Sequence, residues 1–238
     1  MPNTHELLIS DITEMGPGYC VLGIEPAPGG RWRTVRPVPQ GAYAWPREFP
    51  HQRGHYIRAD LSPTETDPPH FEDHAALRLT ATNRTATEEE LVACLRQAEL
   101  AASLLGLFGT PVQPSPYGGG AVWVHPYEAS RSVSGCVLQD VRFEIFDADE
   151  EARLRCRLLL ASGEALHSLP VVDRGWNWVL RRLLDAGRAQ EKLNGPIRER
   201  VVRSKCRLAR IGLARPKEER CWLMLDSLFP EPKESWLE

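Results

Sequence analysis

The segment Pro68-Pro69-His70-Phe71-Glu72-Asp73-His74 places two imidazoles and two carboxylates within seven residues. Such groups can ligate a divalent metal or carry general acid–base chemistry. His70 and His74 are four apart, so a helix would present both on one face, with Glu72 or Asp73 as a further ligand or base. The order is not that of a zincin, where the Glu directly follows the first His. Two prolines ahead of His70 start the segment extended and delay any helix until after them. The other histidines (His5, His51, His55, His125, His167) are scattered along the chain. The leading expectation is therefore a structural hinge at the exit from the first β half, toward a helix beginning near Thr87, in which the prolines fix the exit and Glu72 and Asp73 accept backbone hydrogen bonds. A ligand-contacting loop and a metal-dependent hydrolase site at His70, Glu72, Asp73 and His74 are the alternatives.

Nucleophilic catalysis has little support. There is no G-x-S-x-G elbow and no Gly-rich phosphate loop, and the stretch Tyr117 to Ala121 (YGGGA) lacks the Lys-Ser/Thr of a P-loop. The six cysteines (Cys20, Cys94, Cys136, Cys156, Cys206, Cys221) form no C-x-x-C pair and sit in apolar or strand-like contexts, which predicts buried free thiols rather than a zinc ribbon. No catalytic residue, cofactor or metal is expected.

A second constellation is basic and aromatic. The net charge is only -3, yet thirteen Lys/Arg face three acids between Arg174 and Lys217. In that segment Arg174, Trp178, Arg181, Asp185, Arg188 and Lys192 alternate spacings of four and three, one stripe of a helix running to Lys192. Trp176, Leu180, Leu183 and Leu184 are predicted to form its buried face. Near the C-terminus Arg220, Trp222 and Met224 share one strand face, with Lys205 and Arg207 expected beside them across a hairpin. Arg31, Trp32 and Arg33 add a basic–aromatic run near the N-terminus. Cations interleaved with aromatic rings suit single-stranded nucleic acid, phosphates meeting the arginines and bases stacking on the rings. The alternatives are an acidic protein partner, or a solvated face paired with the acids of 140–151.

The elements that must position these groups alternate between strands and helices. Strands are predicted at 6–12, 18–25, 31–38 and 54–61, separated by Gly/Pro-rich turns. Thr87 followed by Glu88, Glu89 and Glu90 is a capping signal for a helix reaching about Gly106 to Gly109. Residues 110–120 read as a loop. Strands follow at 121–127, 135–147 and 152–161, then a helix capped by Asp173 and closed by Gly195-Pro196. The stretches 204–214 and 220–229 form a predicted hairpin. The organisation is an N-terminal β domain (1–82), a connecting helix and linker (83–120) and a C-terminal β domain with a basic helix (121–238). The fold class is mainly β with α. No apolar run approaches the roughly 18–20 residues that span a bilayer, and the N-terminus lacks a signal-peptide pattern. A cytoplasmic location without membrane contact is expected.

Several pieces together resemble a bacterial family of dual-OB-domain proteins: the opening "LLISDIT", the "CVLGI" strand followed by "RWRTVRPV", the "PPHFEDH" segment and the closing "RIGLARP...CWLMLDSLF". They run from about residue 7 to 230 in that family's order. The element pattern fits two small β-rich halves, each with an associated helix, and the resemblance implies that these are OB-like barrels, with nucleic-acid or nucleotide recognition and association with bacterial defence systems. It carries over no catalytic residue. The leading expectation is a non-catalytic accessory protein that binds single-stranded DNA or RNA through Arg174, Trp178, Arg181, Arg188, Lys192, Lys205, Arg207, Arg220, Trp222, Arg31, Trp32 and Arg33. The alternative is an adaptor or specificity subunit that docks on protein partners encoded nearby.

Overall fold

A computed structural model describes residues 3–148 and 151–237. The chain divides into two compact units, Met1–Leu100 and Ala101–Glu238.

In the first unit, β1 (Asn3–Met15), β2 (Gly18–Ala27), β3 (Arg31–Pro39), β4 (His55–Pro63) and β5 (Asp73–Thr85) close a barrel in the order β1-β2-β3-β5-β4. All its ladders are antiparallel except β3–β5, which is parallel. Alternation delivers Leu7, Ile9, Val21, Val35, Ile57, Ala59 and Leu61 to the interior. The four predicted strands are present. β5 was not expected, because its burial pattern is sparse and its outer face reads polar. Its presence corrects the hinge reading of residues 68–74: residues 68–72 lead from β4 into β5 inside one barrel, Asp73 and His74 open β5 itself, and the rest of β5 lies between them and the following helix.

That helix, α1 (Glu88–Gln97), begins with the predicted capping box between Thr87 and Glu90 and buries Leu91, Val92 and Leu95. It does not continue to Gly109. Ala98 leaves helical conformation, and a separate short helix, α2 (Leu104–Phe108), restarts behind its own cap, Ser103. A two-residue strand, β6 (Leu100–Ala101), lies where the chain passes from one unit to the other.

The second unit adds β7 (Gln113–Pro114), β8 (Val122–Val124), β9 (Val133–Ala148), β10 (Glu151–Leu160), β11 (Ala165–Pro170), β12 (Leu208–Leu213) and β13 (Cys221–Phe229). These form a curled sheet in the order β11-β10-β9-β12-β13-β8-β7. Where β11 ends, Val171 makes a parallel bridge to Leu225 of β13, and the Val172 amide donates to the Leu225 carbonyl at 3.0 Å. From β9 to β13 this repeats the first barrel's order, antiparallel except for one parallel contact, but that contact is a bridge rather than a ladder.

Three α-helices lie between β11 and β12, α3 (Arg174–Asp185), α4 (Ala189–Lys192) and α5 (Arg198–Arg203), with a π-helical turn over Leu193–Ile197 joining the last two. Asp173 caps α3 as expected, accepting from the Gly175 amide at 2.8 Å and the Trp176 amide at 3.2 Å. Its other oxygen accepts from the Leu228 amide of β13 at 3.2 Å, tying helix to sheet. Trp176, Val179, Leu180 and Leu183 face the core, where Trp176 stacks on Phe143 with ring centroids 4.9 Å apart. Leu184, expected in that face, is exposed instead.

The predicted continuous helix to Lys192 is also corrected. Gly187 sits at φ 68°, a left-handed conformation that ends a helix. Arg188 then becomes the residue preceding α4.

Candidate nucleic-acid interface

The cluster at residues 70–73 is organised around a cation that the protein supplies itself. Arg36 and Asp73 are register partners in the parallel β3–β5 ladder, and the Arg36 amide donates to the Glu72 carbonyl at 2.8 Å. The Arg36 guanidinium reaches Glu72 Oε1 at 2.9 Å and Asp73 Oδ1 at 3.0 Å. It also lies 2.8 Å from His70 Nδ1. Arginine stays protonated and can only donate, so Nδ1 of a neutral His70 is the acceptor there. Donor atoms of His70, Glu72 and Asp73 fall within 4.8 Å of one another, a spacing that suits a metal. The guanidinium already among them provides the positive charge and three or more hydrogen bonds. His74 turns elsewhere, its Nδ1 lying 2.9 Å from the Glu72 carbonyl oxygen. The arrangement staples the parallel strands.

The basic residues named from sequence fall on several elements of the two units. Arg31 and Trp32 lie on β3 of the first unit, and Arg33 pairs with Glu25, their atoms 2.5 Å apart. Along α3, Trp178 is exposed and lies 5.9 Å beneath the Arg182 guanidinium. Arg174 and Arg181 have contacts of their own within the chain. Arg188 is paired with Glu191 at 2.5 Å, and Lys192 donates to the Leu237 carbonyl. The pairing lowers the Glu191 pKa, through its hydrogen bond to Arg188 first and the attraction second. Arg207 donates to the Val202 carbonyl at 2.9 Å, close to the end of α5.

Lys205 and Arg207 precede β12, whose start pairs Leu208 with Phe229, while Arg220 and Trp222 lie at the other end of the hairpin. Six residues at about 3.3 Å rise put roughly 20 Å between those ends, so Lys205 and Arg207 are not neighbours of Trp222. The acids proposed to neutralise this face are only partly described: Asp140 pairs with Arg198 at 2.6 Å, whereas Asp149 and Glu150 lie outside the described residues.

Arg220 and Trp222 do fall together, and two aromatics join them. Trp222 is the register partner of Trp123 on β8, so both indoles stand on the sheet's outer face. Cys221 and Leu223, the neighbours in sequence, are buried. The Arg220 guanidinium sits 5.4 Å over the Trp123 ring and 5.7 Å over that of Tyr117, within cation–π range. Tyr117 is 74% exposed. Arg220 is held by the tight turn before it, where Lys217 and Arg220 exchange backbone hydrogen bonds and Glu218 and Glu219 adopt φ of 52° and 59°. Left-handed φ at both central residues is the type I′ pattern, which usually selects Asn-Gly. Here two glutamates carry it beside an arginine, a conformational cost of the kind found at binding sites.

The surface continues along the sheet. A Cβ on Gly120, three residues after Tyr117, would lie 3.5 Å from the Cβ of Ser168 on β11. The Arg155 guanidinium donates to the Ser168 carbonyl and hydroxyl at 3.0 and 3.1 Å and covers the exposed Phe146 ring at 5.0 Å. Trp123, Trp222, Arg220 and Tyr117 therefore form one cluster of rings and a guanidinium group, and Arg155 with Phe146 forms a second on β10 and β9. Tyr117, Trp123, Phe146 and Arg155 were missed from sequence. Arg153, Arg155 and Arg157, alternating on one strand, were the available signal.

No helix among the described residues is long and apolar enough to cross a membrane. No protein-family model, curated protein or solved structure matches this chain.

Proposed function

We propose that the protein is a non-catalytic binder of single-stranded nucleic acid built from two OB-type units, with its binding surface on the outer face of the second unit's sheet. The carrying observation is the Trp123–Trp222 cross-strand pair with Arg220 poised over Trp123 and Tyr117. Aromatic rings at a surface, here the half-buried Trp123 and Trp222 and the exposed Tyr117, stack on bases of any sequence, and guanidinium groups beside them meet the phosphates. The shared strand order of the two units supports the OB reading, since OB barrels commonly bind oligonucleotides through their second and third strands and adjoining loops. In the second unit those strands are β10 and β11, which carry Arg155 and Ser168, and the adjoining β12–β13 turn leads into Arg220.

The test is fluorescence anisotropy with labelled oligo-dT and oligo-U at low salt. Trp222→Ala removes one stacking platform, and affinity falls by about 5- to 150-fold, since a stacked base contributes ~1–3 kcal/mol. Arg220→Gln weakens binding and flattens the dependence of log K on log[salt] by about 0.7 if one phosphate contact is lost. Wild-type affinity in both folded variants refutes the proposal.

A further inference from the structure

Beside these clusters the sheet carries an arrangement that stacking does not use. On the outer face of β9 and β10, Arg142 and Arg157 are direct register partners. Their Cβ atoms are thus about 4.5–5.5 Å apart, and like charges so placed repel. Neither makes an ion pair or hydrogen bond among the described residues. Both are exposed, and together with Asp140, Val141 and Leu159 they line an open cavity of about 190 Å³. Asp140, the acid in that lining, cannot neutralise them. Its two oxygens are held by Arg198 at 2.8 and 2.6 Å, and Arg198 also donates to the Val141 carbonyl at 3.1 Å. The nearest other acid on the face, Glu144, stands opposite Arg155.

We propose that Arg142 and Arg157 form a binding site for a phosphate-type dianion. Two arginines lining one cavity suit a tetrahedral oxyanion, to which each guanidinium can donate in pairs. Phosphate and phosphate monoesters carry close to two negative charges at neutral pH, which balances the two arginines and converts their repulsion into a shared attraction. The site does not depend on the stacking cluster, because free phosphate suffices to fill it. Its place two residues along β10 from Arg155 would let the terminal phosphate of a bound oligonucleotide occupy it.

Calorimetric titration of the full chain with inorganic phosphate, at pH 7.5 and low ionic strength, tests this. Wild type shows saturable one-site binding. Arg142→Gln and Arg157→Gln each weaken it by about tenfold, and the double variant abolishes it; Arg153→Gln, on the same face but outside the cavity, stays within about twofold. Phosphate raises the melting temperature of wild type and not of the double variant. Without phosphate the double variant melts no lower than wild type, because a repulsive pair has been removed. A purely structural role for these arginines predicts the opposite.

Oligo-dT with a 5′-phosphate or a 5′-hydroxyl then identifies the source. A preference for the phosphorylated end that the double variant erases assigns the site to a nucleic-acid terminus, and equal affinity assigns it to free phosphate. Trp222→Ala leaves phosphate binding intact, so failure of the stacking surface and failure of this site are read separately. Absence of saturable phosphate binding in wild type, or its survival in the double variant, overturns the proposal.

Discussion

Replacing Arg36 by leucine removes the charge on which the β3–β5 junction is organised. The side chain is 8% exposed, and those of its partners Glu72 and Asp73 are 9% and 5% exposed. The substitution strands two carboxylates and the acceptor nitrogen of His70 in a largely water-free site. Removing one partner of a buried ion pair typically costs about 3–5 kcal/mol, most of it the penalty for the charges left behind. In a unit of this size each kcal/mol shifts the melting midpoint by about 4–8 °C, so a drop of roughly 12–40 °C follows. Two measurements read it: urea unfolding of the full chain, and hydrogen exchange of peptides covering Arg31–Pro39 and Asp73–Thr85. The triple replacement of Arg36, Glu72 and Asp73 by leucine recovers most of the loss, as apolar substitutes for whole buried ion networks often do. A cost below about 1 kcal/mol for Arg36→Leu refutes the stapling account. So does zinc-dependent protection of the β3 and β5 amides in wild type, which would return the cluster to a metal.

Other consequences are open to measurement. Asp173→Ala unsatisfies the Gly175, Trp176 and Leu228 amides together. It should cost about 2–4 kcal/mol in chemical denaturation, whereas loss of a helix cap alone is worth about 1. Burial pushes the Cys136 thiol up to about 12 and the Cys221 thiol up to about 11, and raises that of Cys156 further. At pH 8 these three are therefore protonated and should not react with a thiol reagent such as DTNB until the protein is unfolded, when all six cysteines titrate. Glu218→Asn with Glu219→Gly places residues that tolerate left-handed φ in the β12–β13 turn. It should raise stability by about 1–2 kcal/mol, and because it also removes the Glu218 carboxylate that pairs with Arg220 at 3.3 Å, it frees that guanidinium and does not weaken binding.

Local signals in the sequence were readable where a single element determined them. The Thr87–Glu90 capping box, the Asp173 cap and the period-two pattern that buries Cys221, Leu223 and Leu225 need only a few neighbouring residues. β5 was not readable, because a barrel strand with a largely solvated outer face shows little alternation. The stop at Gly187 was overridden by a charge stripe whose spacing happened to continue through it. The site posed the same difficulty on a larger scale. Arg36 meets His70 across 34 residues and Tyr117 meets Arg220 across 103, contacts created by strand pairing. Identifying Arg220 and Trp222 was within reach of strand alternation; their partners on β8 and in the Gly118-Gly119-Gly120 loop were not.

The most direct test of the central claim is photo-crosslinking of an oligonucleotide carrying 5-iodouracil, followed by peptide mapping. The account predicts crosslinks at Tyr117, Trp123 and Trp222, suppressed by excess unlabelled strand and by Arg220→Gln. Crosslinks confined to Trp178 on α3 or to the first unit, or none at saturating oligonucleotide, would contradict it.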